Sequence, residues 1–439
     1  MKQLFDYINK QVDDAELYKK ADEIISIEIK QGDIKAVDGK NVIGFALRMN
    51  KDGKAGTAVS SSLEDKSILE RAITSSKYRT GKPFEFGFAE AESVQCYDSR
   101  LAEMSAEELI QMAKSINDRL KKINSGITSQ ITLVRTVSDV EIMNTKGLSD
   151  EYKKTHLKVS IMTMSKSGFV QNTYATAFSS YFEISNEQLQ DIVDKHMISE
   201  TTYEVETKRM PVVFSGKAMG ALMTRLLAGV NGEFISKGVS PISDKKGQII
   251  TSDILNITDE GNLPQGFATM KFDDEGTPTS KTVIVENGVL KNYLNSVASS
   301  TKVDGPITGN AQKQTMFSKE IENQPIVDST NFMIHPGKTT DEEIIKNIEY
   351  GIYVDSVMGT HTGNIPAGEY SLNVSIGYLI KDGKLAGKIL DTMVSGNIYE
   401  DLFKVKAVGQ KLELMNVVFY PMGYSPMVRF DDINVVGTK

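Results

Sequence analysis

The feature that most constrains this chain is a recurring period of two, broken by short glycine turns. Ile25, Ile27 and Ile29 alternate with Ser26, Glu28 and Lys30, the pattern of a half-buried strand. Residues 42–49 read as a second strand, Asn50-Lys51-Asp52-Gly53 as a turn and residues 55–60 as its returning partner. Farther along, residues 283–285 run into Asn287-Gly288, and residues 374–380 into Asp382-Gly383. Such dipeptides turn one strand back on the next, and tight turns of this kind join antiparallel neighbours. Further strands are expected at 127–137, 138–144, 155–164, 169–179 and 212–214.

Helical periods interrupt the strands. Leu4, Tyr7 and Ile8 suggest a short opening helix. Ser62 with Asp65 resembles a capping box ahead of Leu63, Ile68, Leu69, Ala72 and Ile73. Ser105 with Glu108 opens a helix carrying Leu109, Met112, Ala113, Ile116, Leu120 and Ile123 on one face, with Gly126 as its stop. Ser185 with Gln188 opens another, bearing Leu189, Ile192, Val193 and Met197. Ser215 caps a helix whose apolar stripe is Met219, Leu222, Met223, Leu226, Leu227 and Val230. Two more fall at about 340–349 and 398–405, the last begun by Asn397 with Glu400. The expected fold is therefore α+β, an N-terminal mixed region followed by a β-rich C-terminal domain with a few helices, and not a doubly wound parallel sheet. The N-terminal region spans 1–205, with subunits 1–85 and 100–205 about an aperiodic linker at 81–100, and the C-terminal domain spans 206–439.

Charge and residue usage narrow the chemistry. Lys+Arg 50 against Asp+Glu 58 gives a net charge of -8, with no run of five like charges, so nucleic acid is not an expected partner. The one cysteine, Cys96, excludes an internal disulfide framework and a cysteine cage for zinc, and fits a cytoplasmic chain. The opening MKQLFDYINKQVDDAELYKK lacks the apolar core of a secretory signal, and no apolar run approaches a membrane span. None of the histidines at 156, 196, 335 and 361 has a second histidine or a cysteine at metal-ligand spacing. His156 and His196 read as surface or hydrogen-bonded structural residues, and His335 before Pro336 as the end of a strand. His361 stands apart, in the polar stretch Met358-Gly359-Thr360-His361-Thr362-Gly363-Asn364. Glycine there lets backbone approach a ligand, so His361 either lines a site or is a solvated loop residue. The acids Asp273, Asp274 and Glu275 before Gly276 read either as polar contacts to a substrate or cation, or as an acidic turn. No nucleophile elbow, phosphate loop or dinucleotide fingerprint is present.

The order of these pieces carries a resemblance. Asp273-Asp274-Glu275-Gly276-Thr277-Pro278 precedes Ile284-Val285-Glu286-Asn287-Gly288-Val289-Leu290, then Thr308-Gly309-Asn310-Ala311. Gly368-Glu369-Tyr370-Ser371, Gly377-Tyr378-Leu379-Ile380-Lys381-Asp382-Gly383-Lys384, Ser395-Gly396-Asn397 and Val408-Gly409 follow. With the early hairpin from Gly44 through Ala58, the chain resembles, over nearly its whole length, the TldD/PmbA family, long labelled modulators of DNA gyrase and regarded as zinc peptidases. The resemblance implies two kinds of subunit. The TldD type holds zinc with HExxxH on the helix after residues 212–214 and with a downstream cysteine. Here that hexapeptide falls on Met223-Thr224-Arg225-Leu226-Leu227-Ala228, and no cysteine follows. Met223 and Ala228 cannot replace two imidazoles, nor Thr224 a carboxylate base.

The chain is thus similar to the PmbA (TldE) type. The resemblance implies a subunit of a cytoplasmic peptidase that processes unfolded peptides, with no catalytic residue, metal ligand or cofactor of its own. Zinc would sit in a TldD-type partner joined as a heterodimer, with a homodimer as the other possible assembly. Asp273, Asp274, Glu275, Gly276, Gly359, His361, Asn364 and Glu369 are the residues expected to line the peptide channel. One alternative is a homodimeric binding or regulatory protein without protease activity. A self-sufficient hydrolase would instead need a metal held by carboxylates and His361.

Overall fold

The computed structural model describes residues 1–439 except 80–81, 88–89, 166–170, 315–320, 322–323 and 418–419. The chain is α+β. Its first layer is one antiparallel six-stranded sheet: β1 (Asp14–Lys30), β2 (Asp33–Lys51), β3 (Lys54–Ser60), β4 (Ile127–Asn144), β5 (Ser149–Ser165) and β6 (Gln171–Phe178). The order is β3-β2-β1-β4-β5-β6, so the strands of 1–85 and of 100–205 share a single sheet through the β1–β4 pairing. The turn at 50–53 forms as expected, with Asp52 and Gly53 at positive φ. The expected break between 137 and 138 does not exist, because β4 is continuous. Its burial alternation changes phase at residues 136–137. Before that point Ile131 and Leu133 pack under helices; after it Val140 and Ile142 pack toward Phe272 of the C-terminal domain. The strand runs straight on while its covered face changes sides. The start of the strand expected at 169–179 lies outside the described residues.

Helices cover one face of this sheet. At one end α1 (Lys2–Asn9) and α2 (Ser67–Ser76) close over Leu17, Phe45, Leu47 and Met49. Ser62 and Asp65 do not form a capping box: α2 begins after Lys66, and Asp65 accepts from the Ser67 amide and ion-pairs with Arg71. At the other end α3 (Ser99–Glu103), α4 (Ala106–Ile123) and α5 (Asn186–Ile198) bury Ile27, Ile29, Leu133, Leu157 and Val159. The capping boxes of α4 and α5 are both present. Asn124, not Gly126, ends α4. The segment expected as a linker is pinned down: Phe84 and Asn50 exchange two hydrogen bonds, and Asp98 caps α3.

Among the described residues the C-terminal domain holds a two-stranded sheet, Ala311–Gln312 with Ile326–Val327, and two large ones. One runs Tyr350–Met358, Lys208–Phe214, Val428–Val436, Met393–Asn397, Glu369–Lys381, Lys384–Ile389 and Thr202–Tyr203, with Val405–Val408 added on Val428–Val436. The other runs Val289–Leu290, Lys281–Glu286, Ile257–Glu260, Phe332–Ile334, Tyr420–Ser425 and Glu413–Val417. Helix α6 (Gly216–Gly229), capped by Ser215, packs on strands of both. The hairpin turns at Asn287-Gly288 and Asp382-Gly383 form, with all four residues at positive φ. Asn397 does begin a helix, but that helix ends at Asp401, and a 3-10 turn leads into a strand at Val405. The helix expected at 340–349 spans Asp341–Lys346. Two further short helices, Gly232–Ser236 and Val297–Val303, carry no apolar stripe long enough to be read from sequence. Among the described residues no helix is long and apolar enough to cross a membrane.

Candidate functional site

The residues expected to line a channel divide between two places. The first is a joint. Loop 272–276 projects onto the face of the N-terminal sheet where Glu16 of β1 stands directly across from Arg48 of β2. Arg48 donates from Nε to Glu16 Oε1 at 2.9 Å and from Nη1 to Glu275 Oε1 at 3.1 Å. The rings of Phe84 and Phe86 each lie 5.4 Å from its guanidinium carbon. Asp273 is fully buried and accepts from the amides of Glu275, Thr277 and Ala311. Asp274 accepts from the amide of Lys313 at 2.7 Å, and Glu275 from the amide of Val297 at 3.0 Å. Gly276 sits at φ +76°, and a Cβ there would come within 2.2 Å of Leu148. Glu275 reaches across to the N-terminal sheet through Arg48, while Asp273 ties the loop to its own domain.

Burial sets the charges of this joint. Desolvation raises the Glu16 carboxyl above its ordinary value despite the facing Arg48. It opposes the Arg48 charge too, but Glu16 and Glu275 outweigh it and hold the guanidinium ionised. Burial and the Glu275 charge push Asp273 up against the pull of its amide donors. Lys313, buried beside Arg48, is brought down to about 8.

The second place is the far half of α6. Met223 is fully buried, Ala228 is buried, and the Thr224 hydroxyl donates back to the Ala221 carbonyl at 2.8 Å. None of the three offers an imidazole or a carboxylate. Between them Arg225, fully buried, reaches across to the loop containing His361. It donates to Ala221 O at 2.7 Å, Thr360 O at 3.0 Å, Thr362 O at 2.8 Å and Glu369 O at 2.9 Å. Sequence reading passed over this residue. The available signal was that Arg225 is the lone charged residue between Lys217 and Glu233.

Around this staple the loop is glycine-turned and tied. Gly359 and Gly363 have φ of +84° and +79°. The Thr362 hydroxyl donates to Gly359 O at 2.6 Å, and Asn364 Oδ1 accepts from the Ala367 amide. The Tyr399 hydroxyl donates to Arg225 O at 3.1 Å, and its ring would collide with a Cβ at Gly368. His361, Asn364 and Glu369 are exposed on the outer side. The helix position and the loop 359–364 that sequence singled out separately are thus one unit. The acidic loop 272–276 has other partners.

The other histidines sit in the framework. His196 is buried with Nδ1 3.1 Å from Thr163 Oγ1. His335 follows strand Phe332–Ile334 and faces Thr258 Oγ1 at 2.9 Å. His156 keeps a buried Nε2 without a hydrogen bond, and burial lowers its pKa to about 3, so it is neutral. Among the described residues no three His, Cys, Asp or Glu side chains converge to hold a metal. The position that the resemblance assigns to a zinc helix does not fit zinc, since it offers thioether, hydroxyl and methyl groups and no imidazole or carboxylate.

A concavity opens at the opposite, N-terminal end of α6. It is a cavity of about 840 Å³ between β6, α5 and strand Glu413–Val417. Lys217 there pairs with the buried Asp355 at 2.6 Å, and Glu413 accepts from the Gly216 amide at 2.7 Å. It contains none of the residues expected from sequence.

Comparison with known proteins agrees with this architecture. An uncharacterized protein of Methanocaldococcus jannaschii is 28% identical over 379 residues, covering 84% of this chain and 86% of that one. The metalloprotease TldD homolog of Buchnera aphidicola is 26% identical over 318 residues, covering 69% of this chain and 63% of its own length. The crystal structure of TldE from Thermococcus kodakarensis superposes with a TM-score of 0.89 over 100% of both chains at 20% identity, a likeness of fold. The PmbA/TldA metallopeptidase central domain matches residues 99–202, and the PmbA/TldA metallopeptidase C-terminal domain matches residues 207–437. The chain belongs to the PmbA/TldD metallopeptidase family.

Proposed function

We propose that this chain is a non-catalytic, PmbA-type subunit of a cytoplasmic peptidase assembly. Its role is to complete a channel for unfolded peptides around zinc held by a TldD-type partner. One observation carries this reading: the helix segment that the resemblance assigns to the zinc motif is occupied by Arg225, which donates to four carbonyls of its own helix and of the loop beside it. A fixed internal cation there organises a wall and would repel a metal ion. His361, Asn364 and Glu369 form the exposed part of that wall, with Gly359 half-buried beside them.

The test is peptide cleavage and zinc content of the chain alone and then mixed with an HExxxH-bearing homologue. Zinc and turnover are expected only in the mixture, and His361→Ala with Glu369→Ala should raise KM there without changing zinc content. Stoichiometric zinc with turnover by the pure chain overturns the proposal. A chain that ignores the homologue altogether favours the regulatory, protease-free alternative.

A further inference from the structure

The cavity at the N-terminal end of α6 has no part in the proposed channel, and its walls come from both domains. β6 and α5 supply Tyr174, Phe178, Asp191 and Lys195, and the C-terminal domain supplies Tyr353, Glu413 and Tyr424. At about 840 Å³ it lies in the range that encloses small-molecule ligands. Phe178 stacks on Tyr424 with ring centres 5.9 Å apart, and Leu263, Met333 and Leu414 add apolar surface to the wall.

Charge decides what such a cavity takes. The three lysines on its wall are each answered by an acid. Lys217 Nζ lies 2.6 Å from Asp355, Lys195 Nζ 3.1 Å from Asp191 and Lys411 Nζ 3.9 Å from Glu187. The N-terminus of α6 is closed as well: Glu413 accepts from the Gly216 amide at 2.7 Å, and Ser215 Oγ from the Ala218 amide at 3.1 Å. An anion entering here meets lysines already neutralised and a helix end already capped. Three wall carboxylates are left over. Among the described residues no basic side chain pairs with Glu413, Asp341 or Glu342. The wall therefore carries surplus negative charge beside aromatic rings, the combination that attracts organic cations.

Groups within the wall respond to the same field. Desolvation opposes the charge of Lys195, yet Tyr353, Asp355, Glu413 and Asp191 hold it well above its ordinary value. On the opposite domain burial, and after it Glu413, pushes the Tyr174 hydroxyl up. One ring already faces a cation: Lys195 Nζ lies 5.7 Å from the centre of Tyr353.

We propose that this cavity binds an organic cation, an ammonium on an apolar body, with the ammonium beside Glu413 and the body against Phe178 and Tyr424. Bound there, the cation ties the two domains together. The site needs neither zinc nor a second subunit, so it stands or falls apart from the peptidase reading. A free amine and the amino end of a peptide present the same head group.

Calorimetric titration of the full-length chain with three molecules of one body tests it: phenylpropylamine, phenylpropanol and phenylpropionate. The amine is expected to bind at least about tenfold tighter than the alcohol, and the propionate not at all. Glu413→Gln keeps an acceptor for the Gly216 amide and removes the charge. It should bring the amine down to the affinity of the alcohol and leave the alcohol unchanged. Glu64→Gln, at an exposed acid outside the cavity, should alter neither. The amine should also raise the thermal midpoint of the wild type. A decapeptide with a free amino-terminal phenylalanine separates the sources. Tighter binding of the small amine assigns the site to a metabolite, and tighter binding of the decapeptide assigns it to a peptide terminus. Equal affinity for the three heads, preference for the propionate, or no amine binding at millimolar concentration overturns the proposal. So does a folded Glu413→Gln that binds the amine as the wild type does. The comparison of heads uses the wild type alone, so it decides the matter even where Glu413→Gln fails to fold.

Discussion

Two buried arginines hold two glycine-bearing loops, and they do so with different chemistry. Arg48 meets carboxylates, Glu16 on its own sheet and Glu275 on the acidic loop of the other domain. Arg225 meets uncharged oxygens, carbonyls of its own helix and of the loop beside it together with the Thr224 hydroxyl. The first arrangement is a charge-paired joint between regions far apart in sequence; losing any member strands an ion out of water. The second is a local brace that fixes a loop's path while leaving its side chains facing outward. The contrast shows that acidity and glycine content do not mark a ligand-facing loop. What decides is whether the carboxylates find partners within the fold.

The largest effect expected is from Arg48→Met, which leaves Glu16 and Glu275 buried without their cation. It should cost about 3–5 kcal/mol, read as a lowered urea midpoint. A loss below about 1 kcal/mol would mean that the joint is no more than surface electrostatics. Next comes Arg225→Met. Losing charge-assisted bonds to four carbonyls should cost about 2–3 kcal/mol and speed hydrogen exchange across residues 359–369, with exchange at 272–276 unchanged. Acceleration in both loops would dissolve the distinction between brace and joint.

Lys313 sharpens the comparison through pH. Its folded-state pKa, near 8, lies below the unfolded value, so the charged form is the one disfavoured by folding. Its penalty is fully present below pH 8 and is relieved as pH rises from 8 toward 10.5. Wild-type stability should therefore gain relative to Lys313→Met across that window, and parallel pH profiles would remove Lys313 from the joint's charge network. The smallest effect is His361→Ala, which should change stability by less than about 0.5 kcal/mol, since the ring is exposed on the outer side of the brace.

Much of the framework was legible because local rules and tertiary structure agreed. The N-G and D-G turns and the Ser105 and Ser185 capping boxes each form as read. Reading failed where packing comes from distant chain. Residues 136–137 looked like a strand boundary because the burial phase flips, and it flips because helices cover one end of the sheet and the C-terminal domain covers the opposite face at the other. Asp273 and Glu275 looked equally suited to solvent or ligand, because their partners Ala311, Val297 and Arg48 are remote in sequence. Arg225 was hidden by its neighbours, since an apolar helical stripe gives no sign that a buried guanidinium will find four carbonyls to donate to.

The placement of strand Val428–Val436 has a consequence for how the molecule is made. It lies between Lys208–Phe214 and Met393–Asn397, in the interior of its sheet. On a ribosome, every earlier strand of that domain emerges before the one that seals it. Until then Lys208–Phe214 and Met393–Asn397 present open flanks, joined only the long way round through Tyr350–Met358 and Glu369–Lys381, the state most exposed to aggregation and to chaperones. Nonsense mutations or proteolytic clipping upstream of residue 428 should therefore yield a chain that cannot close its second domain, however intact the preceding residues are.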